Sequence, residues 1–498
     1  MTRTTSRLLG FVVLALALPF AWGRQPATKS ETMPLTTKSA KARQLMDEVW
    51  SLDLDQVEQA KAADVLREVV KLDPDFAMAH ELLSQASLDP SEQVVEQNRA
   101  YATRHHASQP EQKIIEWLQD SADHKLIPAI TNMNDVLSQY PHDKWVVFLA
   151  NFWLTTQTQY ERAALVYERS GITNSPGLMN NTAYTYAYMR HFDKAFALMD
   201  KYIAALPNDA NPEDSYAEIL RMAGHFDESI QHYRAALTIN PQFYSSEFGI
   251  ADTYSLMGDQ ERSRKEYDFA FKKFPLPELH EVQWKTREAT TYIREEDYAG
   301  ADRAFQAIAD AAHAKQFSWV EADTYRQMAM YQPDHHRALE LLDKADVATA
   351  EGRNAMRFQL RQEVAQILRA RVELALKMDD KRQARLALAN LASISDSSND
   401  RLIEVAYHGA AGAVAFSDHN YKDAANELEE DINNPLSLKL LALTYQKTGD
   451  MQSAQHTSET LANLNDATLE QAMVVPAFRR CYQDPACAGN LKDASLKH

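Results

Sequence analysis

The chain has few of the residues that interrupt regular structure. Its 498 residues include 13 glycines, 18 prolines and 2 cysteines, and no low-complexity stretch occurs. Runs of alternating Val, Ile, Thr or aromatic residues, which are typical of β-strands, are absent as well. The composition therefore predicts an all-α protein.

Motifs that carry chemistry are also missing. The sequence has neither of the glycine-rich loops that bind nucleotides, no G-x-S-x-G nucleophile motif and no complete H-E-x-x-H zinc motif. His80 and His280 begin the zinc motif, but Ser84 and Trp284 stand where its second histidine is required. We therefore expect no enzymatic activity, no metal and no cofactor.

Positive charge is in deficit. The chain has 52 Lys and Arg against 70 Asp and Glu, a formal net charge of −18. Residues 1–23 contain two arginines and no acid, so without them the charge is 50 − 70 = −20. This charge argues against nucleic acid and anionic lipid as partners. It is compatible with an acidic surface that keeps the chain soluble, and also with a basic partner.

The N-terminus has the pattern of a targeting segment. Arg3 and Arg7 precede an uncharged stretch over 8–22, and small residues around Gly23 suit cleavage. We predict a cleaved signal peptide over 1–23 and a periplasmic or secreted protein. An uncleaved membrane anchor is the alternative. Residues 24–40 are polar and aperiodic, and we expect a flexible lead-in there.

Both cysteines lie near the C-terminus, at Cys481 and Cys487. In an exported protein, two cysteines this close are expected to pair, closing a loop worth roughly 2 kcal/mol at most. Two free thiols on a frayed tail are the alternative. Two sulfurs without a nearby histidine pair make only half a zinc site.

Proline recurs at a fixed spacing in the middle of the chain. Pro207, Pro241 and Pro275 stand 34 residues apart, each after a helix-forming run with apolar residues at helical spacing. Proline cannot continue a helix, and a fixed period of this length indicates a repeat array of helix pairs. Pro110, Pro141 and Pro176 are expected to end less regular units upstream.

Within the regular units, small and aromatic residues recur in phase, and in this the chain resembles the tetratricopeptide repeat family. The family has a small residue in the first helix, a glycine-containing turn, then a small residue and an aromatic one in the second helix. Arg190 departs from it, at a position where the turn glycine is usual. The matching positions are Ala183, Ala217 and Ala251; Ala195, Ser229 and Ser263; and Met199, Tyr233 and Tyr267.

The resemblance extends, less strictly, over about 40–468. It implies a right-handed superhelical solenoid of antiparallel helix pairs, possibly two sub-arrays joined at 275–277. We divide the chain into an N-terminal array over 41–275, with its regular repeats at 176–275, a degenerate array over 276–468, and a C-terminal tail over 469–498.

The first helices of such repeats line a concave groove in the family, and the resemblance implies that this groove binds a protein or peptide partner. The lysine-and-asparagine clamp by which some relatives hold C-terminal carboxylates is not visible. We expect an exported scaffold, monomeric rather than oligomeric, with an envelope glycan- or nutrient-binding component as the alternative. The groove residues carried over by position are Asn180, Tyr184, Tyr188, Asp214, Glu218, Arg221, Phe248, Asp252 and Ser255.

Overall fold

A computed structural model describes residues 32–483 except 124, 277, 354, 356 and 399. All the regular structure in these residues is helical, which confirms the predicted all-α class. The first fourteen α-helices are α1 Ala40–Trp50, α2 Gln59–Leu72, α3 Ala77–Ala86, α4 Pro90–Thr103, α5 Gln109–Ala122, α6 Leu126–Gln139, α7 Lys144–Thr156, α8 Tyr160–Ser170, α9 Pro176–Tyr188, α10 Phe192–Ala205, α11 Ala210–Ala223, α12 Phe226–Ile239, α13 Tyr244–Met257 and α14 Gln260–Lys273.

The second half continues the same succession of helix pairs and ends on a single helix. Short 3-10 turns at Arg104–His106 and Glu429–Asp431 and a π-helical turn at Ser51–Asp55 supplement the α-helices. The remaining helices are α15 Glu278–Arg294, α16 Tyr298–Ala314, α17 Ser318–Tyr331, α18 His335–Glu351, α19 Arg357–Lys377, α20 Lys381–Ser398, α21 Arg401–Ser417, α22 Tyr421–Leu428, α23 Pro435–Thr448, α24 Met451–Ala462 and α25 Leu469–Gln483.

The helix pairs stack into a solenoid with an inner and an outer layer. From α7 to α23, most odd-numbered helices contact the next odd-numbered helix as well as their own partner. The even-numbered helices make their main contacts with the odd-numbered helices on either side. The odd-numbered helices therefore form the inner layer, which places the predicted groove residues of α9, α11 and α13 on that layer.

The small residues predicted at the helix crossings are buried. Ala217 and Ala251 in first helices and Ser229 and Ser263 in second helices are fully buried. The Ser263 hydroxyl donates to the Ala251 carbonyl oxygen at 2.8 Å, whereas the buried Ser229 hydroxyl has no hydrogen-bond partner. Short side chains let the two helices of a pair approach closely, as the period predicts.

The turns between paired helices need a left-handed residue. Gly224 and Gly258 follow α11 and α13 with φ values of 86° and 95°, which confirms the glycine caps. Arg190, at the position where glycine is usual, adopts the same region with φ of 60°. The turn geometry is thus kept even where the glycine is lost.

The prolines have two different positions. Pro207, Pro241 and Pro275 follow α10, α12 and α14, as predicted. Pro110 and Pro176 instead lie in the first turns of α5 and α9, so the prediction that they end units is wrong. Proline suits a first turn because the N–H that it lacks has no partner there within the helix.

Part of the stretch that we expected to be a flexible lead-in is held against the array. The Met33 amide donates to Asp143 Oδ2 at 2.6 Å, and the Thr36 amide donates to Glu111 Oε1 at 3.0 Å. Glu111 itself is buried. Residues 32–39 therefore pack as an ordered extension of α1. The expectation of flexibility is wrong for these residues, because acids far along the chain accept hydrogen bonds from their backbone amides.

The chain turns back on itself after α24. Helix α25 packs against α15 and α23, two inner-layer helices that are separated by three other helix pairs. Cys481 lies buried on this helix, whereas Cys487 and the predicted signal segment over 1–23 lie outside the described residues. Within the described part, no helix combines the length and apolar character needed to cross a bilayer.

Candidate partner-binding surface

Five charged and tyrosine side chains of the inner layer form one hydrogen-bonded chain. Tyr184 Oη donates to Glu218 Oε2 at 2.8 Å, and Glu218 Oε1 accepts from Arg221 Nη2 at 2.8 Å. Arg221 Nη1 continues to Asp252 Oδ2 at 3.1 Å, which also accepts from Arg287 Nη1 at 2.6 Å. We call these five side chains, together with Tyr267, the inner-face network.

The network is stabilised by charge alternation in a buried setting. Asp252 is 1% exposed and receives two guanidinium groups and the Tyr267 hydroxyl. Arg221 is 4% exposed and lies between Glu218 and Asp252. Because each buried charge has an opposite neighbour, the arrangement offsets the cost of desolvation. The ion pair between Asp252 and Arg287 also joins helices on the two sides of the predicted seam at 275–277.

Asp214 lies on α11 one turn before Glu218 and has a different environment. Its Oδ1 accepts from the Ser246 hydroxyl at 2.6 Å. Burial, with a contribution from the nearby Glu218 charge, raises the pKa of Asp214 to about 7, although Ser246 and Arg221 act in the opposite direction. This carboxyl group therefore changes its charge near neutral pH.

Five of the predicted groove residues are buried in this structure: Arg221 and Asp252 within the inner-face network, and Asn180, Phe248 and Ser255 outside it. Phe248 is fully buried, with its ring stacked on Trp284 at a centroid distance of 4.6 Å. Ser255 is buried and donates to Gln260 Oε1 at 3.1 Å. Asn180 is 8% exposed, and its Oδ1 has no hydrogen-bond partner. Phe248 is thus a core residue, because the next inner helix places an aromatic ring against it.

The exposed part of the inner layer is aromatic. Tyr188 is 42% exposed, and its ring stacks on Tyr160 at 5.3 Å. Tyr184 lies one turn earlier on α9, 6.4 Å from Tyr188 between ring centroids. On α7, Phe152 is 49% exposed and stacks on Phe148 at 6.0 Å. We call these five rings the aromatic strip.

The two groups of rings in the strip are carried by adjacent inner helices that are hydrogen-bonded side by side. Asn181 Nδ2 donates to Asn151 Oδ1, and the Thr155 and Thr185 hydroxyls lie 2.8 Å apart. Helix α9 begins and ends 32 residues after α7, so Phe152 occupies the repeat position of Tyr184. We did not predict Phe148, Phe152 or Tyr160, although this repeat position could have identified Phe152.

The far end of the strip meets the C-terminal turn, which we define as residues 463–468 between α24 and α25. Arg190 Nη2 donates to the Asn463 carbonyl oxygen at 2.7 Å, and Asn465 Nδ2 donates to the Met222 carbonyl oxygen at 3.2 Å. Asp466 lies near Arg190 and Arg221, both of which oppose the rise that burial causes in its pKa. The inner layer is thus partly covered by the chain itself.

The acids and histidines of the described residues do not gather into a metal site. No group of three or more His, Cys, Asp or Glu side chains among them could hold a metal ion. The buried Arg and acid pairs of the inner layer neutralise each other, and their carboxylates already accept from guanidinium or hydroxyl groups.

Comparisons with known proteins find only distant likenesses to solved structures. The chain is built of tetratricopeptide-like helix pairs. No protein-family model and no curated protein matches it. It is similar to a solved tetratricopeptide repeat protein from Parabacteroides merdae, at 13% identity over 62% of this chain and all of the other, with a TM-score of 0.36.

Two further solved structures show the same level of likeness. Yeast Tom70 is 14% identical over 91% of this chain and 99% of its own, with a TM-score of 0.38. A Rap protein complexed with competence and sporulation factor is 13% identical over 73% of this chain and all of its own, with a TM-score of 0.41. Because these TM-scores are below 0.5, the repeat assignment rests on the helix pairing and buried small residues described above.

Proposed function

We propose that this protein is a non-enzymatic scaffold that binds a protein or peptide segment along the aromatic strip. The observation that carries the proposal is the pair of half-exposed rings, Phe152 and Tyr188, on adjacent inner helices. Each is stacked on a second ring, so little side-chain entropy is lost when a partner covers it. Aromatic side chains of this kind contribute most of the binding energy at many interfaces.

The inner-face network supports the same use. It fixes Tyr184 through Glu218 and so holds one side of the strip in a single geometry. Glu218 keeps part of its side chain exposed and offers a carboxylate beside the rings. An extended segment with apolar side chains, flanked by a donor such as a backbone amide or a basic group, suits this surface.

The test uses a matched aromatic control. Peptides of about twelve residues are selected from a random library on the full chain, and their Kd is measured by fluorescence anisotropy. We expect Phe152→Ala/Tyr188→Ala to weaken binding at least about tenfold, as loss of two central aromatic contacts does. Phe269→Ala removes an equally exposed ring, 50% exposed, from the outer helix α14 and should leave Kd unchanged.

Two outcomes would contradict the proposal. One is a double variant that binds the selected peptides as tightly as the parent chain. The other is a Phe269→Ala control that weakens peptide binding as much as the double variant does.

A glycan array run in parallel addresses the alternative of an envelope glycan- or nutrient-binding component, which no feature of the described residues favours. If the parent chain binds sugars on the array and the library yields no binding peptide, the glycan alternative replaces the peptide proposal.

We also propose that the protein is exported and cleaved after a signal peptide over 1–23. The support is the charge and apolar pattern of that segment and the pair Cys481 and Cys487 near the other end. N-terminal sequencing of the mature protein should begin near residue 24. A mature protein that begins at Met1 would favour the uncleaved anchor instead.

A further inference from the structure

The C-terminal turn reaches the aromatic strip from more than 240 residues along the chain. Two hydrogen bonds join it to the regular block, one from Arg190 to the Asn463 carbonyl and one from Asn465 to the Met222 carbonyl, while Leu464 of the turn packs in the apolar cluster of α23–α25. Asn465 is buried at this contact, and its side-chain nitrogen lies close to Gly224. The turn therefore sits on the array where α9 and α11 end.

The acid of the turn is placed between cations and tyrosines. Asp466 lies within electrostatic reach of the Arg190 and Arg221 guanidinium groups, both of which favour its ionised form. Burial, followed by the charge of Asp466, raises the pKa of Tyr160 to about 12. Burial raises the pKa of Tyr188 as well, and several nearby groups, Asp466 among them, act in the same direction. Two cations and two phenol rings thus lie within electrostatic reach of this carboxylate, together with the Glu218 carboxylate, which acts against its charge.

The turn keeps its shape through contacts of its own. Arg479 on α25 donates to the Ala462 carbonyl at 2.6 Å and to the Leu464 carbonyl at 2.8 Å, and it also contacts the Asn465 side chain. The turn is consequently pre-organised before it meets the array. The apolar contacts of buried α25 side chains, such as Val475, hold that helix in place. The few polar contacts between the C-terminal turn and the regular block, by contrast, can be exchanged for those of another segment.

We propose that Tyr160, Tyr188, Arg190 and Arg221 form a recognition surface for a turn containing asparagine and aspartate, and that residues 463–466 are its resident occupant. A partner that presents a similar acidic turn binds by displacing this segment. The proposal rests on the proposed function, because the surface continues the aromatic strip. It identifies both a class of partner and an internal competitor for that partner.

The competition can be measured with the chain's own sequence. The probe is a fluorescent synthetic peptide of residues 462–468, Ala-Asn-Leu-Asn-Asp-Ala-Thr. In the full parent chain the tethered copy, with an effective concentration on the order of mM, should keep the probe out. In full-length Asn465→Ala/Asp466→Asn the turn is weakened, and we expect the probe to bind at least about tenfold more tightly.

Two controls make the result specific. Asp379→Asn changes an exposed acid at the distant turn between α19 and α20 and should bind the probe as the parent does. A probe in which alanine replaces its aspartate should bind the turn variant at least about tenfold more weakly. Hydrogen exchange should show faster exchange at 463–468 in the turn variant, with α9–α14 still protected, which excludes general unfolding.

The inference is overturned if the turn variant exchanges faster but binds the probe no better than the parent chain. It is also overturned if the aspartate-free probe binds equally well, or if exchange at the turn is unchanged. Its failure can be told apart from that of the proposed function. Library-selected peptides that still depend on Phe152 and Tyr188 would leave the strip proposal standing, whereas selected peptides that bind the Phe152→Ala/Tyr188→Ala variant as tightly as the parent chain would refute the strip proposal alone.

Discussion

The regular helices α9–α14 and the irregular helices α15–α24 complete their inner layers in different ways. Every helix of the regular block has 13 or 14 residues, whereas the irregular ones range from 8 in α22 to 21 in α19. The apolar clusters of the regular block draw on neighbouring repeats among the described residues. The main cluster of the irregular array also includes Leu469 and Ala472 of α25.

The difference relates the lengths of the helices to the contacts that a repeat needs from outside its own array. Helices of equal length meet the next repeat along their whole inner side, so each unit is stabilised by its neighbours alone. Helices of unequal length leave space on the inner side, and protein interiors do not tolerate such space empty. Helix α25 fills it in the irregular array. In the regular block the inner-face network and the C-terminal turn occupy the corresponding position.

The largest expected effect comes from breaking the inner-face network at Asp252. Asp252→Ala leaves Arg287 without its carboxylate, Arg221 with Glu218 only, and the Tyr267 hydroxyl without its acceptor. We expect a loss of about 3–5 kcal/mol, since removing one partner of a buried ion pair leaves an uncompensated charge. Urea unfolding followed by circular dichroism measures the loss.

The matched control for Asp252→Ala is Asp268→Ala, an exposed acid on the next helix, α14. It should change the free energy of unfolding by less than about 0.5 kcal/mol. Equal stability of Asp252→Ala and the parent chain would show that the network does not stabilise the regular block.

The repeat fold was predictable because its signals are local. Ala217 and Ser229, for example, lie twelve residues apart in one helix pair, so their shared burial follows from a short pattern. The turn glycines Gly224 and Gly258 are local in the same sense. Such signals are repeated in each unit, and agreement between units made the prediction secure.

The candidate site was only partly predictable because it depends on distant contacts. Glu218 and Arg221 were found from their repeat positions, but Phe248, at the repeat position of Asp214, is buried by Trp284 from the next repeat. Phe152 was missed because its helix carries Asn151 where the small residue is usual. The contact of Asn465 with Met222 joins residues 243 positions apart, and no local pattern indicates it.

A second test removes apolar contacts from α25. Val475 is fully buried against α23 and α24 residues, and Val475→Ala should cost roughly 2 kcal/mol. Hydrogen exchange should increase in α15–α24 more than in α9–α14, because only the irregular array depends on α25. Val347→Ala, at a side chain that is 61% exposed on α18, should leave both regions unchanged. Equal deprotection of both arrays by Val475→Ala would contradict the comparison.

A third test uses pH to separate an unpaired acid from a paired one. Burial raises the pKa of Asp214 from 3.8 to about 7, so between these values the folded chain holds a proton that the unfolded chain releases. Stability from this group therefore falls as pH rises from about 4 to about 7. Asp214→Asn keeps an acceptor for Ser246 without ionising, and we expect it to be about 1–2 kcal/mol more stable than the parent at pH 8.

The advantage of Asp214→Asn should shrink as the pH is lowered towards 4.5 in urea unfolding. Asp418→Asn, at the end of α21 in the irregular array, is the contrasting variant. Asp418 accepts from Arg385 Nη2 at 2.8 Å and from Lys381 Nζ at 3.1 Å, and these two cations hold the pKa of its carboxyl group below the ordinary value, so its neutralisation should destabilise the chain at pH 8. The same sign of change in both variants would show that the two acids do not differ in this way.

The smallest expected effects are at the turns that follow helices of either array, where the left-handed residue is a glycine at some turns, such as Gly258 and Gly449, and another residue at others, such as Asp379. An added Cβ at Gly258 would meet no atom within 4 Å, so the cost of Gly258→Ala, about 1 kcal/mol, comes from its φ of 95° alone. Asp379, after α19, has a φ of 55°. Asp379→Gly should gain about 0.5 kcal/mol, since relief of the left-handed backbone is partly offset by a more flexible unfolded chain. Urea midpoints that move in opposite directions would confirm that both arrays need the same turn geometry, whereas a stabilising Gly258→Ala would exclude it.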